Sequence, residues 1–276
     1  MSTLAGIQRL PRLQHTGRVT QGRVIRSEWT KLRSLRSTRW SLLAAVFLTI
    51  ALPVLFAAVT SSHWGTMSPH ERADRHPLDI ALAGVNLSQL AIAVLGVLVI
   101  TGEYSTGMIR ASFTAVPKRL PVLWAKTIVF GLVSFLLMLP PVIAAFFASQ
   151  AILSRHDILQ ISFTDPGVAR SVIGGAVFLM LVGIFALGIG AIVRNTAAGI
   201  ATFAAIFFVI PPLMNILPTS WNNAISPYLP SNAGREIFSL THGAHDLAPW
   251  PGGLLFAGYC AAALAIAAVL LVRRDT

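Results

Sequence analysis

Six stretches of this chain are each long and apolar enough to cross a bilayer: residues 41–60, 80–100, 122–148, 171–193, 197–217 and 253–272. A spanning helix needs about 20 mainly apolar residues, and only helices or closed barrels satisfy every backbone polar group inside hydrocarbon. Charged residues make up 11% of the chain, against about 25% in a soluble domain, so a soluble fold is excluded. The sequence predicts an all-α polytopic membrane protein with six transmembrane helices and an N-terminal amphipathic interfacial helix. Residues 1–22 are expected to form a flexible basic tail and 23–276 a single transmembrane domain.

The net charge of +11 does not point to nucleic acid, because no stretch is polar enough to form the solvated basic surface that such binding needs. It sets orientation instead, since juxtamembrane Lys and Arg stay on the cytoplasmic side. With both termini inside, sixteen of the 21 basic residues are inside: nine before Trp40, four from Arg110 to Lys126, then Arg194, Arg273 and Arg274. Five are outside, namely Arg72, Arg75, Arg155, Arg170 and Arg235, whereas seven of the ten acids are outside. The first span follows a segment too long and too charged for a cleavable signal, so it is expected to stay as an anchor. Cys260, the single cysteine, excludes an intrachain disulfide and a Cys-rich metal site.

Local signals refine the plan. Asp165, Pro166 and Gly167 offer an N-cap and a first-turn proline for the fourth span. Pro140–Pro141 and Pro211–Pro212 are expected to kink or break the third and fifth spans. From Arg23 to Leu35, Val24, Ile25, Trp29, Leu32 and Leu35 share one helical arc and basic residues the other, the pattern of an interfacial helix under the first span. Glu28 falls in the apolar arc and requires a partner, either Lys31 one turn on or a donor from another element. The inner loop 101–121 is longer than most helix connections; a short helix between Thr106 and Thr114 would present Met108, Ile109 and Phe113 as a docking surface. Lys126 is placed near the inner end of the third span, where it can snorkel. Asn86, Ser88, Gln89 and Asn215 are the notable polar groups of the spans, and Asn86, Gln89 and Asn215 are candidates to line a pathway or to bond between helices. Small-residue stripes in the fourth, fifth and sixth spans indicate close helix packing.

Two of these elements resemble the ABC type-2 permease family of bacterial exporters. The matching residues are Val24 to Ser34 (VIRSEWTKLRS) before the first span and Glu103 to Arg110 (EYSTGMIR) after the second; Leu229 to Gly234 (LPSNAG) before the sixth also looks like the family. The resemblance implies a six-helix protomer in a bacterial cytoplasmic membrane, paired with a second permease protomer, homodimeric or heterodimeric, and with separate P-loop ABC ATPase subunits that bind ATP and Mg. It makes Glu28, Trp29 and Lys31 part of a connecting helix and Glu103, Gly107, Met108, Ile109 and Arg110 an ATPase-docking element. It likens the segment before the sixth span to re-entrant external helices.

The chain carries no P-loop: Lys126–Thr127 lacks the glycines that let backbone N–H groups reach a phosphate. No nucleophile elbow or HExxH zinc motif occurs. No catalytic, cofactor or metal residue is therefore assigned in the chain, and ATP hydrolysis is expected in a separate subunit. An ion-coupled secondary transporter is the alternative, weakened by the lack of a mid-membrane charge; a membrane-embedded enzyme is a third reading. Membrane lipids, and no nucleic acid, are the remaining expected partners.

Overall fold

The computed structural model describes residues 21–34, 36–107, 120–156, 158 and 160–273. Most of the expected basic tail, the docking residues Met108, Ile109 and Arg110, and most of the short helix expected between Thr106 and Thr114 lie outside them.

Six apolar helices long enough to span a membrane are present, and no strand occurs among the described residues. Helix α1 (Gln21–Ser34) precedes the first span, α2 (Arg36–His63). A short α3 (Pro69–Ala73) leads to the second span, α4 (Pro77–Ser105), and the third is α5 (Leu120–Leu153). The fourth is α6 (Val168–Val193); the fifth joins α7 (Thr196–Ala204), a π turn (Ala205–Val209) and α8 (Ile210–Met214). Two short helices, α9 (Thr219–Ile225) and α10 (Pro230–Arg235), precede the sixth span, α11 (Pro249–Arg273). Alternation of the spans gathers α1, the end of α4, the start of α5 and the connection 193–196 at one end, the basic end. The connections 63–77, 153–168 and 214–249 fall at the far end.

Burial separates the spans into a centre and a margin. Buried residues are 67% of the apolar window of the fourth span and 61% of the second, but 22% of the first and 17% of the fifth. Glycine permits the central pair to touch through their backbones: a methyl on Gly96 of α4 would overlap the carbonyl oxygen of Gly183 of α6. Gly84 likewise lies against the Thr49 backbone, where the Thr49 and Ser88 hydroxyls are 2.7 Å apart and each bonds the Ala45 carbonyl. Of the small-residue stripes, that of the fourth span, Ala176, Gly183 and Gly190, packs inside the bundle. Ala197 and Ala201 of the fifth and Ala261 and Ala265 of the sixth face outward instead, so close packing within the protomer does not account for them.

Two local expectations need correction, and that for Pro211 and Pro212 is met. The third span continues as α-helix through Pro140 and Pro141 and is not broken there. In the fifth span, Pro211 and Pro212 cannot donate to the carbonyls of Phe207 and Phe208, and the ladder widens into the π turn just before them. Asp165 does not cap the fourth span: its carboxylate accepts from Ser162 N at 2.7 Å, within its own turn. The N-cap is Gly167, whose φ of 84° suits a residue without a Cβ, and Pro166 stays outside the helix.

The far-end segment enters the bundle. Ala233 is fully buried, and Gly234 lies so close to the Phe178 and Phe256 rings that a methyl on it would be 2.7 Å from the first. The Tyr259 hydroxyl donates to the Tyr228 carbonyl at 2.8 Å. Tyr259 is ten residues beyond Pro249, about 15 Å along the helix at 1.5 Å per residue. Residues 228–234 therefore lie beside the first turns of the sixth span, with the Ala233 carbonyl against Gly252. An aromatic chain seats them: Phe203 and Phe207 stack with centroids 4.3 Å apart, Phe207 meets Phe185 and Phe256, and Phe178 meets Phe256 and Phe238.

Candidate functional site

Val24, Glu28 and Leu32 follow one another at four-residue spacing on α1, and all three are buried. This stripe does not rest under the first span as expected but packs mainly on the third, with Val24 against Val122 and Ala125 and Leu32 in a cluster with Leu95, Val99 and Leu123. The geometry leaves Glu28 between two apolar contacts, where a lone carboxylate is costly. Trp29 is half exposed and lies off this contact.

Glu28 finds two lysines. Lys126 Nζ donates to Glu28 Oε2 at 2.6 Å and to Glu103 Oε1 at 2.9 Å; Lys31 Nζ donates to Glu28 Oε1 at 2.8 Å and to Glu103 Oε1 at 3.0 Å. Two carboxylates and two ammonium groups balance in charge and join α1, the second span and the third at the basic end. Lys126 does not snorkel: its side chain is 4% exposed, because its third-span position faces α1 and the end of the second span. Both partners weighed for Glu28, Lys31 and a donor on another element, hold it together.

Burial alone would lower the Lys31 pKa, but the hydrogen bonds and charges of Glu28 and Glu103 outweigh it and hold the ammonium above its usual value. Glu103 Oε1 accepts both lysines, while its buried Oε2 has no partner among the described residues. Glu103 is thus turned into the cluster instead of out toward a docking partner.

Neighbouring contacts extend the cluster to the remaining spans. The Arg194 guanidinium lies 5.1 Å over the Tyr104 ring, the residue after Glu103, and donates to the Leu270 carbonyl at 3.3 Å. Thr196 Oγ1 donates to Thr101 Oγ1 at 2.8 Å. Arg194 turns the chain between the fourth and fifth spans in a left-handed conformation, φ 59°, and the Asn195 side chain caps α7 by accepting from Ala198 N.

Gly107 ends the second span with φ 72°, exposed and in open space. Gln89 is buried, Asn86 is half-buried beside it, and Gln89 Nε2 donates to the Asn86 carbonyl at 2.7 Å. Asn215 does not join them: it is exposed at the far end of α8, where it receives the Asn222 side chain at 3.4 Å. Among the described residues no group of three metal-ligating side chains occurs. The residue that sequence reasoning missed is Lys126; its signal was a lysine inside an apolar span with two otherwise unexplained carboxylates, Glu28 and Glu103, at the same end. Compared with protein-family models and with curated proteins, the chain matches none.

Proposed function

We propose that this chain is the permease subunit of an ATP-driven ABC-type exporter of a bacterial cytoplasmic membrane, with both termini cytoplasmic. The six-helix bundle forms the substrate path, and a separate P-loop subunit binds ATP and Mg. The carrying observation is the Glu28–Lys126–Glu103–Lys31 cluster. It fastens α1 to the second and third spans on both sides of the 101–121 loop, so a partner pushing on that loop moves three helices as one body. Gly107, Met108, Ile109 and Arg110 supply the docking surface, while Glu103 serves as an internal tie.

The outward small-residue stripe of the fifth span and the low burial of the first and fifth spans support pairing with a second protomer, since small residues let helices of two chains approach. An ion-coupled carrier would also use buried charge. Here, however, the charges balance, and Lys126 lies only six residues, about 9 Å, inside its helix, away from mid-membrane.

The test is reconstitution of the chain in vesicles with a P-loop ABC ATPase subunit from the same organism. ATP hydrolysis should rise when both are present and fall when Gly107 or Arg110 is replaced. Transport by the purified chain without any ATPase, driven by an ion gradient, would establish the carrier reading instead.

A further inference from the structure

Between the fourth and sixth spans, at the far end, lies an open groove of about 490 Å³, within the range of small-molecule sites. Its walls are apolar side chains, among them Val177, Leu181, Leu254 and Ala257, and Arg170 is the one charged residue lining it. Gly174 and Gly253 face each other across the top with Ile237 laid over both, so close that a methyl on either would strike it. The groove is thus roofed by the loop that Arg170 holds.

We propose that this groove binds one acyl chain of a glycerophospholipid whose phosphate sits on Arg170. Depth is the first argument. Arg170 and Trp250 stand within the first three residues of their helices, the level where aromatic and basic residues mark the membrane boundary. Leu181 is eleven residues further in, about 16 Å, or roughly half of a 30 Å hydrocarbon core. The groove is one leaflet deep and opens sideways, with Trp250 and Leu254 each 73% exposed at its edge.

Charge is the second argument. Arg170 donates to the carbonyls of Glu236, Ile237 and Ser239 at 3.5, 3.0 and 2.9 Å. These bonds use three of the five N–H donors of a guanidinium, leaving two for a phosphate oxygen, the acceptor that suits them best. The nearby Glu236 carboxylate is engaged by His242 Nδ1 at 2.6 Å. A second copy docking here through an apolar helix face would bury those two donors unsatisfied; a phospholipid satisfies them. The site stands independently of the exporter reading.

The purified full-length chain, incubated in mixed micelles with equal phosphatidylglycerol, phosphatidylcholine and diacylglycerol of matched chains, should retain one phospholipid per chain by native mass spectrometry. Ala257→Phe occupies the groove while keeping Arg170 and should lower occupancy about tenfold or more, the scale of losing a well-made contact. Arg170→Gln should abolish the preference for phospholipid over diacylglycerol. Unchanged retention in Ala257→Phe, equal retention of diacylglycerol by the unmodified chain, or no retained lipid would overturn the proposal. Disulfide dimers of Leu254→Cys, made in a Cys260→Ala background in membranes, would overturn it in favour of a second copy.

Discussion

Lys126 Nζ and Glu28 Oε2 are 2.6 Å apart, although 98 residues separate them in sequence, and both side chains are 4% exposed. Such a pair is not a large net source of stability, because desolvating both ions offsets most of their attraction. Its force is conditional: with either member removed, the buried cluster keeps an odd charge, since only Lys31 then reaches Glu28, or only Glu103 reaches Lys126. The pair therefore specifies which helix α1 packs on, more than it adds to the stability of the bundle.

Lys126→Met should lower the stability of the bundle by about 3–5 kcal/mol, and Glu28→Gln should also be costly. The double variant should lose less than the sum of the two, since Lys31 and Glu103 remain as a balanced pair. Thermal unfolding in detergent, analysed as a double-mutant cycle, measures the coupling. Strict additivity would mean that the two groups do not act on each other.

Attachment of α1 should be insensitive to pH across the neutral range and weaken in strong alkali. The Lys31 pKa in the folded chain lies above its usual 10.5. A base whose folded pKa is raised contributes stability that is complete below the unfolded value and is lost as pH rises through the folded one. The window thus opens above 10.5. Limited proteolysis within α1 should accelerate there, and Lys31→Met should cleave faster at neutral pH without a comparable alkaline step. An α1 that loosens between about pH 6 and 8 would contradict the assignment, because Lys31 stays protonated there.

Three glycine-to-alanine changes should rank by what the new methyl meets. Gly96→Ala strikes the Gly183 backbone, which cannot move without parting the two central spans, and should cost about 1–3 kcal/mol or more. Gly183→Ala meets the Phe130 ring at 2.7 Å, a side chain with some freedom to shift, and should cost less. Gly258→Ala meets nothing within 4 Å and should be neutral or slightly stabilising, given the better helix propensity of alanine. Melting temperatures in one detergent decide the order.

The six spans were legible because hydrocarbon thickness imposes one length and one composition, and each predicted segment lies within or nearly within an observed helix. In α1 the periodicity was only partly legible: Val24 and Leu32 are buried as the arc requires, but Trp29, assigned to the same arc, is half exposed, and Leu35 lies outside the described residues. Lys126 was not legible, since a lysine near a helix end has a cheap alternative in snorkelling, and only tertiary packing aims it at Glu28 and Glu103. The Pro140–Pro141 pair does not break the third span, because in a span the rest of the ladder and the packed neighbours hold the helix and two missing donors do not end it. Asp165 was misread because an aspartate before a helix can serve its own turn as well as the helix.

Residues 231–234 should be shielded from water, although Tyr228 and Arg235 on either side of them are exposed. Ser231 and Ala233 are buried, Tyr259 holds the Tyr228 carbonyl ten residues inside the sixth span, and Asn232 Nδ2 closes the turn by donating to the Ser226 carbonyl and hydroxyl at 2.9 Å. Backbone that is not part of a span is tolerated at such depth only when protein covers it, which the Phe178 and Phe256 rings provide at Gly234. Gly243, in contrast, is exposed in the loop beyond. In a Cys260→Ala background, a cysteine at Gly243 should react with a membrane-impermeant maleimide applied to intact cells, and one at Ser231 should not. Tyr259→Phe removes the hydrogen bond but keeps the ring, so it should raise Ser231 labelling while leaving expression near normal. Rapid labelling of Ser231 in the otherwise unmodified chain would mean that the segment lies on the surface, and the reading of an entering loop would fail.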